Sequence, residues 1–64
     1  MDISKVIKKL LIDNDMTQTE LAEKLNTSSG NLTNKLRRND FRISELEEIA
    51  TAIGYELKIE FIEK

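Results

Sequence analysis

Sixty-four residues with no cysteine, no histidine and no proline suit one domain, and exclude disulfide staples and the usual soft metal ligands. No apolar run approaches the roughly 20 residues needed to cross a bilayer, and no leader-like pattern opens the chain. The net charge of −2 is unevenly spread: residues 1–26 carry −1, residues 27–42 carry +3 through Lys35, Arg37, Arg38 and Arg42 against Asp40, and residues 43–64 carry −4.

Ile3, Val6, Ile7, Leu10 and Leu11 follow a helical period, which predicts a first helix over about residues 3–13. Asp2 suits its N-cap, and Asn14 suits a left-handed residue at its end. Thr17 followed by Glu20 is a capping-box signature. It opens a second helix over about 18–25 that buries Leu21, Ala22 and Leu25. Asn26 is placed to stop it in the left-handed conformation, and Ser28 to accept from the first free N–H groups of a third helix. That helix runs over about 29–37 with Leu32 and Leu36 inward. Asn39 and Asp40 mark a turn. Ser44 with Glu47 repeats the capping-box pattern and predicts a fourth helix over about 45–53, with Leu46, Ile49, Ala50 and Ile53 on one face and Gly54 beyond its end.

After Gly54 the period changes to two: Tyr55, Leu57, Ile59 and Phe61 alternate with Glu56, Lys58, Glu60 and Ile62, which predicts a strand over about 55–62. A lone strand leaves its backbone groups unpaired, so its economical partner is the same strand of a second copy about a two-fold axis. The alternative is a segment that packs on its own helices or continues as helix.

Catalytic chemistry has no foothold. There is no Cys or His for nucleophile–base work, no metal cluster and no glycine-rich phosphate loop. Glu20, Glu23, Glu45, Glu47 and Glu48 fall on solvated helix faces. The expectation is a protein that is not an enzyme, with no cofactor, no small-molecule ligand and no membrane partner.

The second and third helices suggest recognition of duplex DNA. Such a module needs one helix across the backbone, a short turn fixing the crossing angle, and a second helix whose outward residues reach base edges. Ala22 permits close approach, and Asn26-Thr27-Ser28 supplies the turn. With Leu32 and Leu36 inward, the outward set is Ser29, Gly30, Thr33, Asn34 and Arg37, a face of small polar groups without acids. Asn34 can pair bidentately with adenine N6 and N7, and Ser29 and Thr33 can hydrogen-bond to bases or meet a thymine methyl. Gly30 allows close approach of backbone at the helix start. Lys35, Arg37 and Arg38 are candidates for phosphate contact, although two arginines there could instead offset the helix dipole.

The segment TQTELAEKLNTSSGNLTNKL, with LEEIATAIGY after it, resembles the phage repressor and Cro-like helix-turn-helix family, over about residues 5–55. The resemblance implies a mainly α, compact bundle of four or five helices in which the third is the recognition helix. It implies base contacts from Ser29, Gly30 and Asn34, with Thr33 alongside, and backbone contacts from Gln18 and Ser28. Thr17, Lys35, Arg37 and Arg38 complete the backbone set. The chain departs from many members in ending its recognition helix with KLRRNDF. It also carries Ser29 and Gly30 where longer base-reading side chains are common, which shifts weight to Asn34, water and DNA shape. The C-terminal strand is similar to the Cro-like way of joining two subunits, with Tyr55, Leu57, Ile59 and Phe61 as the dimer contacts.

The expectation is therefore a single domain over residues 1–64. It would be a cytoplasmic, nucleoid-associated homodimer that binds double-stranded DNA at a pseudo-palindromic operator and regulates transcription as a repressor. A DNA-binding antitoxin of a toxin–antitoxin pair, or an interaction module that has lost DNA binding, are the alternatives.

Overall fold

The computed structural model describes residues 1–64, in which local capping chemistry and apolar periodicity produce four helices: α1 (Ile3–Asp13), α2 (Gln18–Lys24), α3 (Ser29–Arg38) and α4 (Ile43–Ile53). The first three helices each start on a side chain that accepts from the backbone three residues on: Asp2 from Lys5 N, Thr17 from Glu20 N and Ser28 from Asn31 N, all at 3.1 Å. Glu20 completes the box at α2 by accepting from Thr17 N. A helix of seven residues is too short to be stable alone, so this pair of bonds and the tertiary contacts of α2 hold it.

The helix ends also follow one plan. After α1, α2 and α4 a left-handed residue lets two amides turn back onto the last carbonyls, as where Asn26 N reaches Glu23 O and Thr27 N reaches Ala22 O. At α4 that residue is Gly54, with φ at +89°. At α1 it is Asp15, not Asn14. Asn14 keeps a negative φ and uses its side-chain amide to donate to Leu10 O and to the Tyr55 hydroxyl, which displaces the left-handed turn by one residue.

Ile7, Leu11, Leu21, Ala22, Leu32, Leu36 and Ile49 form the buried core, with Leu21 and Leu32 wholly enclosed. Helix α2 packs chiefly on α3 and also touches α4, while α1 packs against the same inner side of α3, where Leu32 and Leu36 enter the core. Phe41, in the α3–α4 connection, covers part of this core and has no place in the helical periodicity. Val6, expected inward, is more than half exposed. It sits at the rim of an apolar cleft that Ile3, Leu10, Leu46 and Leu57 also line.

Two expectations are corrected. Helix α4 begins at Ile43, two residues early, because Leu46 N already bonds Arg42 O. Arg42 has no side-chain acceptor, so Glu45, accepting from Arg42 N at 2.8 Å, does the capping. Ser44 and Glu47 lie inside the helix and form no box. The second correction is the strand over 55–62, which does not form. Alternation makes a segment able to extend, but a strand exists only where its N–H and C=O groups find a ladder, and no second segment of this chain supplies one. The architecture is a four-helix, all-α fold with no fifth helix. No helix is long and apolar enough to cross a membrane.

Candidate nucleic-acid interface

Helix α3 is anchored through one side and free on the other. Leu32 and Leu36, four residues apart, insert between α1, α2 and α4, and both are buried. Away from that pair lie Gly30, Asn31, Thr33, Asn34, Arg37 and Arg38, all exposed, while Ser29, three residues before Leu32, shares the leucine stripe but is exposed at the start of the helix. No acidic residue lies within α3, and its last turn is basic. The structure thus brings the four expected base-contacting residues onto one accessible surface, with Arg37 and Arg38 at its C-terminal end.

The polar groups of this surface are partly committed to one another. The Arg37 guanidinium donates to Asn34 Oδ1, one turn back. The Thr33 hydroxyl donates to Gln18 Oε1 at 3.4 Å, linking the recognition helix to the start of α2. Gln18, Thr17 and Ser28 therefore border the same surface. Thr17 and Ser28 both have their side-chain oxygens occupied as caps, so what they add outward is the amide-rich start of a helix. Gly30 is helical, and a Cβ there would meet only Ser28 Oγ, at 4.0 Å. Nothing inside the protein requires a glycine at this position.

Lys35 stands apart from the other cations. It is only partly exposed and pairs with Glu45 of α4, on the inner side of α3. That ion pair, together with the hydrogen bond from Arg42 N, holds the Glu45 carboxyl below the usual carboxylate range. Lys35 therefore ties α3 to α4, and its charge is balanced within the protein. The sequence offered no sign of this, since the partner lies on another helix.

A second set of residues escaped sequence reasoning. Ser4 is the one buried polar side chain. Its hydroxyl donates to Leu36 O, with Asn39 Oδ1 3.3 Å away, and its amide donates to Asn39 Oδ1 at 3.0 Å. Asn39 in turn donates to Met1 O at 2.9 Å, while its own backbone is left-handed, with φ at 54°, as it ends α3. This clasp fixes the end of α3 that carries Arg37 and Arg38 against the start of α1. Asn39 was legible only as a turn former.

The residues expected at the dimer contact divide into two pairs. Tyr55 and Leu57 lie against their own chain: the Tyr55 hydroxyl accepts from Asn14 Nδ2 at 3.1 Å, and Leu57 lines the cleft between α1 and α4. Ile59 and Phe61 remain exposed, Phe61 fully, with Ile62 beside it. Among the His, Cys, Asp and Glu side chains none gather into a metal-binding group.

No curated protein and no solved structure matches the chain. A family model described as the Cro/C1-type HTH DNA-binding domain does match, over residues 6–58. That span contains α2, the turn, α3 and α4 entire, together with most of α1, and the chain accordingly belongs to the Cro/C1-type helix-turn-helix DNA-binding domains.

Proposed function

We propose that the protein is a sequence-specific, double-stranded DNA-binding transcriptional regulator that represses by occupying its operator. Helix α3 enters the major groove. Ser29, Gly30, Thr33 and Asn34 face base edges, while Thr17, Gln18, Ser28, Arg37 and Arg38 meet the backbone on either side. Lys35 contributes as a brace on α3 more than as a phosphate ligand, given its pairing with Glu45. The observation that carries the reading is the exposed, acid-free outer face of α3, set on a buried leucine pair.

The functional unit in this reading is a homodimer over the single domain of residues 1–64. Its support is the apolar C-terminal segment, where Ile59, Phe61 and Ile62 lie uncovered next to Tyr55 and Leu57. Several large apolar side chains left uncovered within four residues of a small domain suit an interaction surface. A two-fold axis would place the two α3 helices about 34 Å apart on one side of the duplex and match a pseudo-palindrome. Such a protein works in the compartment that holds the DNA, the cytoplasm and its nucleoid.

Selection from a pool of random duplexes at low salt tests the function directly. Enrichment of a pseudo-palindrome with half-sites one helical turn apart is expected. A pool that emerges unenriched would contradict both DNA recognition and the regulatory role.

A further inference from the structure

We propose that Asn34 and Arg37 act as a single donor unit that reads the N7/O6 edge of guanine, making Arg37 a specificity-determining residue. The inference rests on the DNA-binding reading and goes beyond it in naming the base and in turning Arg37 from the phosphates, where that reading puts it, to a base edge. Isolated, an asparagine on a recognition helix suits adenine, whose major-groove edge offers one acceptor, N7, and one donor, N6–H2. The asparagine then needs its oxygen for N6 and its amide nitrogen for N7. In this chain one lone pair of that oxygen is already engaged, because the Arg37 guanidinium donates to Asn34 Oδ1, and any second donor must approach beside a cation.

The assignment of that oxygen is forced by chemistry. A guanidinium carries five N–H donors and no acceptor, so the amide atom that faces it is the carbonyl oxygen, and the Nδ2 hydrogens point elsewhere. What the pair shows to a ligand is Nδ2–H2 together with the unused N–H groups of Arg37. To read adenine it must give up a charge-assisted bond, or hold a cation beside N6–H2. Guanine presents two acceptors and asks for neither.

The surroundings point the same way. Gln18, the other amide on this surface, has its Oε1 occupied by the Thr33 hydroxyl, so it too offers N–H groups outward. Helix α3 has no Asp or Glu to accept from any of these donors. Gln18, Asn34 and Arg37 thus all present N–H groups to a ligand.

Duplex selection with the wild-type chain, Asn34→Ala and Arg37→Met tests the proposal. Both side chains are exposed and neither belongs to the core, so the variants should fold. The half-site position whose preference changes most in Asn34→Ala should be guanine in the wild-type motif. Arg37→Met frees Asn34 Oδ1, so at that position the guanine-to-adenine ratio should fall by roughly 5- to 150-fold, the range for one bidentate base contact. This ratio is independent of the loss in total affinity that removing a charge brings. As a check that needs no variant, 7-deazaguanine at the same position should weaken binding by the wild-type chain. Adenine at that position, no base preference there, or an unchanged ratio in Arg37→Met overturns the proposal while leaving DNA binding intact. Failure of the wild-type chain to enrich any duplex would instead overturn the functional reading, and this inference with it.

Discussion

Gly30 is the residue at which stability and function pull in opposite directions. It sits in the first turn of α3 with room for a Cβ and no positive φ that would demand glycine. Alanine there should stabilise the fold by about 0.5–1 kcal/mol, because glycine loses the most freedom on entering a helix. If the start of α3 approaches base edges, the added methyl should also weaken operator binding. Urea denaturation and duplex titration of Gly30→Ala measure the two effects, and unchanged affinity would place Gly30 outside the interface. Glu45 makes a different statement. Its carboxyl is held in the charged form, first by Lys35 and then by Arg42 N. A depressed folded pKa stabilises the protein above the ordinary glutamate value of about 4.3. That contribution is lost as pH falls through the lower folded value. A quarter of the Glu45 side chain remains exposed, so solvent screening limits it to roughly 0.5–1 kcal/mol. Glu45→Gln should lower stability at pH 7 by that amount and make the acid limb of a pH–stability curve shallower. An unaltered acid limb would remove Glu45 from it.

At the scale of the element, what matters is how the two ends of α3 are fixed. Its N-terminal end depends on Ser28, whose cap is local and could be read from the sequence. Its C-terminal end depends on Asn39 and Ser4, which are 35 residues apart. Asn39 has two separable jobs, a left-handed backbone and a side chain that bridges Met1 and Ser4. Asn39→Gly keeps the first and loses the second, at about 1–2 kcal/mol for the missing hydrogen bonds. Asn39→Ala loses both, and should cost about 1 kcal/mol more for the left-handed strain. Equal stabilities for the two variants in urea would show that the backbone conformation is unimportant. The same contrast explains what the sequence revealed. Caps such as Thr17–Glu20, and stops such as Asn26, act over three or four residues and were plain. The outward face of α3 followed from placing Leu32 and Leu36 inward. Lys35–Glu45 and Ser4–Asn39 are settled by which helices meet, which no local pattern encodes. The start of α4 differs for a local reason: Arg42 has no side-chain acceptor to mark it as a cap, whereas Ser44 with Glu47 has the pattern of a box, yet it is Glu45 that accepts from Arg42 N. The strand over 55–62 was misread because period-two alternation describes side chains, whereas a strand is made by backbone pairing.

For the whole molecule, the distribution of charge and apolar surface sets the orientation. Cations collect around the end of α3, whereas the fourth helix and the C-terminal segment carry the acidic excess. Over a Debye length of about 8 Å the basic end can act on phosphate despite the negative total, and the acidic part is repelled from the duplex. The uncovered Ile59, Phe61 and Ile62 would then be available to a second copy. Because Ile59 is exposed in the single chain, Ile59→Lys should leave the fold intact and give monomers in sedimentation with weakened operator binding. A dimer that persists would take Ile59 out of the interface. The central claim, that the outer face of α3 is the surface that meets DNA, is tested most directly by amide-resolved NMR titration with a selected duplex. The largest shifts are expected on Ser28 to Arg38 and around Gln18, with the outer residues of α4 little changed. Shifts confined to α4 and the C-terminal segment, with α3 undisturbed, would contradict that claim.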